Sequence, residues 1–229
     1  MFLCWSAKGG SGTTVVASSL ALVLARTRPV VLVDLAGDVP AALGVPEPTG
    51  PGVHDWLTSS TAAGAALANL SVAVDEELRV VPSGGAPQAD VSAQRWADLA
   101  GALAAVRGSA PHTCVVVDAG HLPPPTPLLQ AAQQRLLVTR SCYLAIRRAA
   151  AQAVEPTGVV LLKEGGRAVG PRDLEHCFGA PVVAEVPWDP AVFRAVDAGL
   201  LASRLPPSIA RPLGRLVAHV DMAATEHVA

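Results

Sequence analysis

Ala7-Lys8-Gly9-Gly10-Ser11-Gly12-Thr13-Thr14 is a glycine-rich turn between an apolar lead, Met1 to Ser6, and a second apolar run, Val15 to Ala25. That order predicts a strand, a phosphate loop and a helix. A phosphate loop needs glycines because its backbone must curl until successive N–H groups face one anion, and the helix behind it adds its positive N-terminal dipole. Gly9, Gly10 and Gly12 supply that freedom. The common form of the loop carries a lysine after its last glycine, which reaches the β and γ phosphates, and then a Ser or Thr whose hydroxyl binds magnesium. Here Thr13 occupies the lysine position and Thr14 the magnesium position.

Further along, Val30-Val31-Leu32-Val33 is a β-branched run that reads as a parallel strand buried on both faces, with Asp34 at its carboxyl end. Thr113 to Val117 is a second such run, and it ends in Asp118. Ligands of open α/β sheets bind outside the carboxyl ends of the strands, so both aspartates are expected near the loop. Further strands are expected at 78–82, 135–139, 158–162 and 182–186. Helices are expected at 94–106, 128–134, 143–154, 172–178, 189–201 and 209–220, with a short one near His54 to Leu57. This alternation predicts an α/β fold with a mostly parallel sheet covered on both faces, formed by one domain over residues 1–229.

Composition narrows the function classes. Apolar residues make up 51% and charged residues 16% of the 229, as in a globular chain with a sizeable core. A net charge of −2 argues against a strongly basic nucleic-acid binder. Arg135, Arg140, Arg147 and Arg148 could offer DNA a basic patch, but an ordinary solvated helix face accounts for them better. Cys4, Cys114, Cys142 and Cys177 have no metal-ligand spacing and read as buried free thiols of a reduced cytoplasm. The six histidines form no spaced cluster, and Trp56, Trp96 and Trp188 are expected in packing. No apolar stretch is long enough to span a membrane, and the polar end at 221–227 assigns the last helix to core packing. Lys8 and Lys163 are the only lysines, which makes the one inside the loop informative.

Asp118 after Val115-Val116-Val117 has the form of the second phosphate-loop motif, whose carboxylate holds magnesium directly or through water. With the loop, the strand ending in Asp34, and Val186-Pro187-Trp188-Asp189 followed by Ala195 and Gly199, the chain resembles the MinD/ParA family of deviant Walker ATPases. The resemblance implies a P-loop three-layer sandwich that binds ATP and Mg2+. It implies that Lys8 reaches the partner's phosphates across a nucleotide-sandwich homodimer, and that Thr14, Asp34 and Asp118 form the magnesium site. Thr13 in place of the second loop lysine is similar to the CpaE/TadZ branch, linked to pilus assembly and polar localisation, and to actinobacterial septum-site proteins. The resemblance thus implies pilus or septum partners that recruit the protein to a pole, septum or membrane surface.

The family's second switch acid, which positions the attacking water, meets Ala36; Asp38 is near enough to be a substitute, the other reading being a plain solvated loop acid. The asparagine that often reads adenine is replaced by Lys163, and Pro187 resembles the turn flanking that base. The expectation is a nucleotide-dependent dimerisation switch with weak or absent hydrolysis. A scaffold that binds partners without nucleotide is the alternative.

Overall fold

The computed structural model describes residues 1–85, 91–109 and 112–226. Its centre is an eight-stranded sheet in the order β3-β4-β2-β5-β1-β6-β7-β8. The strands are β1 (Phe2–Trp5), β2 (Val30–Asp34), β3 (Val72–Ala73), β4 (Leu78–Val81), β5 (Cys114–Asp118), β6 (Gln134–Arg140), β7 (Gly158–Lys163) and β8 (Val182–Pro187). All neighbours pair in parallel except β3 and β4. The expected α/β class is therefore the observed one. Continuous Val/Leu runs form its central strands because both of their faces are covered.

Alternation along each strand assigns residues to the two layers. Cys4, Leu32, Val80 and Val116 pack towards α1 (Thr13–Leu24), α2 (Val39–Leu43), α9 (Pro190–Asp197) and α10 (Pro207–Glu226). On the opposite face, Leu3, Val33, Val81 and Val117 pack towards α3 (Val53–Thr58), α4 (Ala66–Asn69), α5 (Ala93–Ser109) and α6 (Thr126–Ala131). Beyond them, Leu137, Val159 and Leu161 meet α7 (Tyr143–Ala151) and α8 (Pro171–Phe178). The parallel strands all end on one side, so that side carries the glycine loop, Asp34, Asp118, Arg140, Lys163 and Pro187.

Several local features differ from expectation. Helix α6 begins at Thr126 rather than 128 and ends at Ala131. Pro127 lies in its first turn, where the missing N–H has no helical partner to lose. Helix α9 stops at Asp197 rather than 201 because Gly199 turns the chain through the left-handed region at φ 64°. The short elements α2, α4 and β3 carry too few residues to show a period. Of the cysteines only Cys4 is buried; Cys114 and Cys142 are half-buried and Cys177 is exposed, and all four are free thiols. Trp188 is 43% exposed rather than packed inside. The four arginines do not make one patch, since Arg135 and Arg140 stand near opposite ends of β6. Among the described residues no helix is long and apolar enough to cross a membrane. Residue 227, at the polar end noted above, lies outside the described residues.

Candidate functional site

The loop from Ser6 to Gly12 leaves β1 and enters α1 directly. Gly10 and Gly12 hold φ angles of 76° and 85°, a region that L side chains rarely adopt. Gly9 plays a different part: an added Cβ would meet nothing within 4 Å, so open space lies above it. The Ser6 and Ser11 hydroxyls both donate to the Lys8 carbonyl, at 3.1 and 2.7 Å, and the Ser6 N–H donates to Gly120 at 2.9 Å. Ser11, expected to bind nucleotide, thus spends its hydroxyl on bracing the loop. Gly12 is the N-cap of α1 and no side chain caps this end, so the first-turn N–H groups remain directed at the loop's concavity.

Asp34 and Asp118 are both fully buried and lie in register on adjacent strands. Asp34 Oδ1 accepts from the N–H groups of Ala36 (3.0 Å) and Gly37 (2.7 Å), and Oδ2 accepts from Val39 (3.1 Å). It thereby fixes the segment that carries Asp38. Burial raises the Asp34 carboxyl above its ordinary range, opposed by those backbone bonds. Asp118 Oδ1 accepts from Gly120 N–H at 3.0 Å, while Oδ2 is buried without a hydrogen-bond partner. The Thr14 hydroxyl is near enough to favour the charged form of Asp118 but does not meet hydrogen-bonding geometry with Oδ2. Burial prevails and lifts the Asp118 carboxyl to about 6, with smaller contributions from the charges of Asp34 and Asp38.

A cleft of about 710 Å³ opens beside these strand ends, and neither Asp34 nor Asp118 borders it directly. Gly9, Gly10, Ser11, Gly12, Thr13 and Thr14 line it, as do Asp38 and the Ala119–Leu122 turn. Its far wall is Ala41 and Ala42 of α2 facing Val196, Asp197 and Gly199. Asp38 is exposed, stands at the N-cap of α2 and makes no capping bond. Thr13 is only 6% exposed. Lys8 is half-buried just outside the lining, with Nζ 3.4 Å from the Gly9 carbonyl. Pro187 is exposed at the end of β8, opposite Lys163, and does not border the cleft.

A model of the CobQ/CobB/MinD/ParA nucleotide-binding domain matches residues 2–202. The chain belongs to this family. Among solved structures, MinD of Pyrococcus horikoshii, complexed with Mg-ADP, superposes with a TM-score of 0.72 at 20% identity, over 97% of each chain. MinD of Aquifex aeolicus gives 0.74 at 15% identity over 96% of each chain. A ParA family ATPase from Chlorobium tepidum gives 0.72 at 18%, over 95% of this chain and 98% of its own. At these identities the likeness concerns the fold. Among curated proteins none matches by sequence.

The residues present suit the magnesium nucleotide of a MinD/ParA-type fold. Asp118 Oδ2 is an orphaned, buried oxygen of a carboxyl group within reach of Thr14, and the glycine curve offers uncapped N–H groups. Among the described residues no cluster of three His, Cys, Asp or Glu side chains could hold a metal alone. Mg2+ keeps several waters and takes few protein ligands when phosphates complete its shell.

Sequence reasoning missed a polar group on the other flank of the loop. Arg140, the last residue of β6, pairs with Glu164, donates weakly to the Gly10 carbonyl at 3.5 Å and stacks on Trp188 with Cζ 4.6 Å from the ring centroid. Arg167 also pairs with Glu164, at 2.7 Å. The one usable signal was the place of Arg140 at a strand end, where Asp34 and Asp118 also stand.

Proposed function

We propose that this chain is a MinD/ParA-type nucleotide switch, a single domain over residues 1–229, that binds ATP with Mg2+ and dimerises around it with slow or absent hydrolysis. The observation that carries this reading is the unpartnered, buried Oδ2 of Asp118, in a carboxyl group that lies within reach of Thr14 behind the glycine loop. A carboxylate oxygen without partner costs several kcal/mol of desolvation unless a ligand meets it, which supports a cation there. Thr14 and Asp118 hold the magnesium and its waters, and Mg2+ supplies charge neutralisation at the phosphates. Asp34 fixes the switch segment through its three backbone bonds and so supports the magnesium site from behind. Gly9, Gly10, Ser11, Gly12 and Thr13 present backbone N–H groups, and Pro187, which stands outside the cleft, would flank the base once that turn moves towards it. Asp38 orients a water, and Lys8 reaches the phosphates of the partner copy.

Thr13 limits turnover. An ammonium against phosphate contributes about 1.5–3 kcal/mol, and charge shifts most on the terminal phosphate during transfer, so its loss weighs on the transition state more than on binding. A deviant loop with Lys8 and without the second lysine supports placement in the CpaE/TadZ-like branch. Its role would be spatial organisation: pilus assembly, septum placement or partitioning, in the cytoplasm or at a pole or septum through protein partners. Ala36 and the full engagement of Asp34 favour a second reading, a scaffold that binds partners without nucleotide. Calorimetric titration with Mg2+ and ATP, ADP or GTP, beside steady-state phosphate release, separates the two. Micromolar binding with little turnover supports the switch; no heat and no thermal shift with any nucleotide supports the scaffold.

A further inference from the structure

We propose, on the nucleotide-binding reading above, that Arg140 supplies the cationic contact to the bound polyphosphate that Thr13 cannot make. Among the described residues two cations touch the glycine loop: Lys8 at the Gly9 carbonyl and Arg140 at the Gly10 carbonyl. The sheet order β5-β1-β6 puts the loop, at the end of β1, between Asp118 on one flank and Arg140 on the other. Neither borders the cleft as it stands, so a polyphosphate seated on the loop would meet the guanidinium once Arg140 turns from Glu164. Thr13, the first residue of α1, is buried and neutral.

Arg140 is held in a way that allows release. Its bond to Gly10 is long, at 3.5 Å, and weak for that reason. Its side chain is 28% exposed and rests on Trp188. Glu164, its ion-pair partner, is only 12% exposed, and an arginine leaving such a carboxylate would ordinarily strand a charge. Arg167 removes that obstacle, since it pairs with the same carboxylate through Nη2 at 2.7 Å and through Nε at 2.8 Å. Glu164 thus stays neutralised when Arg140 turns to the phosphates. A guanidinium also suits the task, because its forked N–H groups match phosphate oxygens.

The test uses the full chain with Mg2+, titrated by calorimetry with ATP and with inorganic tripolyphosphate. Arg140→Ala should weaken both ligands about tenfold to a hundredfold, the range expected for one charge-assisted contact. Arg140→Lys should retain most of the affinity. Thr13→Lys in the Arg140→Ala background should restore it, which a mere loop clamp would not allow. Melting of the ligand-free variants checks the fold, and Arg140→Gln replaces the alanine variant if that one unfolds. Unchanged affinity in Arg140→Ala overturns the role of Arg140 alone, and so does a loss seen with ATP but not tripolyphosphate, or a loss rescued by neither lysine. A wild-type chain that binds neither ligand overturns the nucleotide reading, and the role of Arg140 falls with it.

Discussion

Asp34 and Asp118 sit side by side at the ends of parallel strands, yet the three backbone bonds of Asp34 engage both its oxygens while Asp118 keeps one oxygen bare. Substituting each by asparagine should therefore give opposite results. Asp34→Asn turns an amide N–H against a backbone N–H and should cost about 1–3 kcal/mol of stability. Asp118→Asn removes a buried charge, should leave stability at pH 7 equal or higher, and should abolish the Mg2+-dependent part of nucleotide binding. Urea melts and calorimetry on both variants check the pair; equal destabilisation would remove the distinction.

Asp118 also sets a pH dependence. An aspartate that titrates near 3.8 when unfolded is raised to about 6 by burial, so the folded state holds the proton more tightly. The stability that this contributes is full below about pH 4 and is lost as pH rises through 6. Two pH units correspond to about 3 kcal/mol. The stability of Asp118→Asn relative to wild type should rise by that order between pH 4 and pH 7 and then level off. Denaturant titrations at fixed pH steps measure it, and a flat difference would show that Asp118 is not the group concerned.

Lys8 forms no salt bridge among the described residues, and its one bond, to the neighbouring Gly9 carbonyl, is long. Lys8→Ala should therefore leave the melting temperature within about 1 °C, in keeping with a surface change of a few tenths of a kcal/mol. It should keep nucleotide affinity within a few-fold and lose the ATP-induced dimer. Light scattering after size exclusion, with and without Mg-ATP, reads this directly. A dimer that persists would reassign Lys8 to its own loop.

Thr13→Lys restores an ammonium at the first position of α1. Phosphate release should rise severalfold with the fold intact. The same release rate with tighter binding would place the kinetic limit at Ala36 and Asp38 instead.

Gly44 ends α2 at φ 76°, and a Cβ there would strike the Gly199 carbonyl. Because α2 and the end of α9 form the far wall of the cleft, Gly44→Ala should do more than the usual 1–2 kcal/mol penalty of a left-handed alanine. A melting point lowered by several degrees, with nucleotide affinity reduced as well, is the expected result. An unchanged melt would mean that the two helices part without cost.

The sheet and the loop were legible because their causes are local. A run such as Val115-Val116-Val117 can be buried on two faces only in a covered parallel sheet, and glycines at positions 10 and 12 answer to the backbone alone. Which carboxylate remains free was not legible. That depends on the path of 35–39, which brings three N–H groups round to Asp34, and no spacing encodes it. The engagement of the Ser11 hydroxyl with the Lys8 carbonyl was not legible for a similar reason, since it follows from the tightness of the curl. Arg140 was read only as part of a basic patch because its partners, Glu164 and Trp188, directly follow later strands and meet it only once β6, β7 and β8 lie side by side. Pro187 keeps its strand-end position but stands away from the cleft in this conformation.

The two margins of the sheet bear on how copies of this chain can join. One margin is β3, two residues long and antiparallel; the other is β8, which ends in a proline and carries Glu185 bridged to Lys163. A short strand, a missing N–H and paired charges all discourage a foreign strand from adding itself there. Chains crowded together at one place in a cell would thus have little means of zipping margin to margin into fibres. Association is left to other surfaces, and the pairing proposed at the loop would be reversible and would follow the supply of nucleotide.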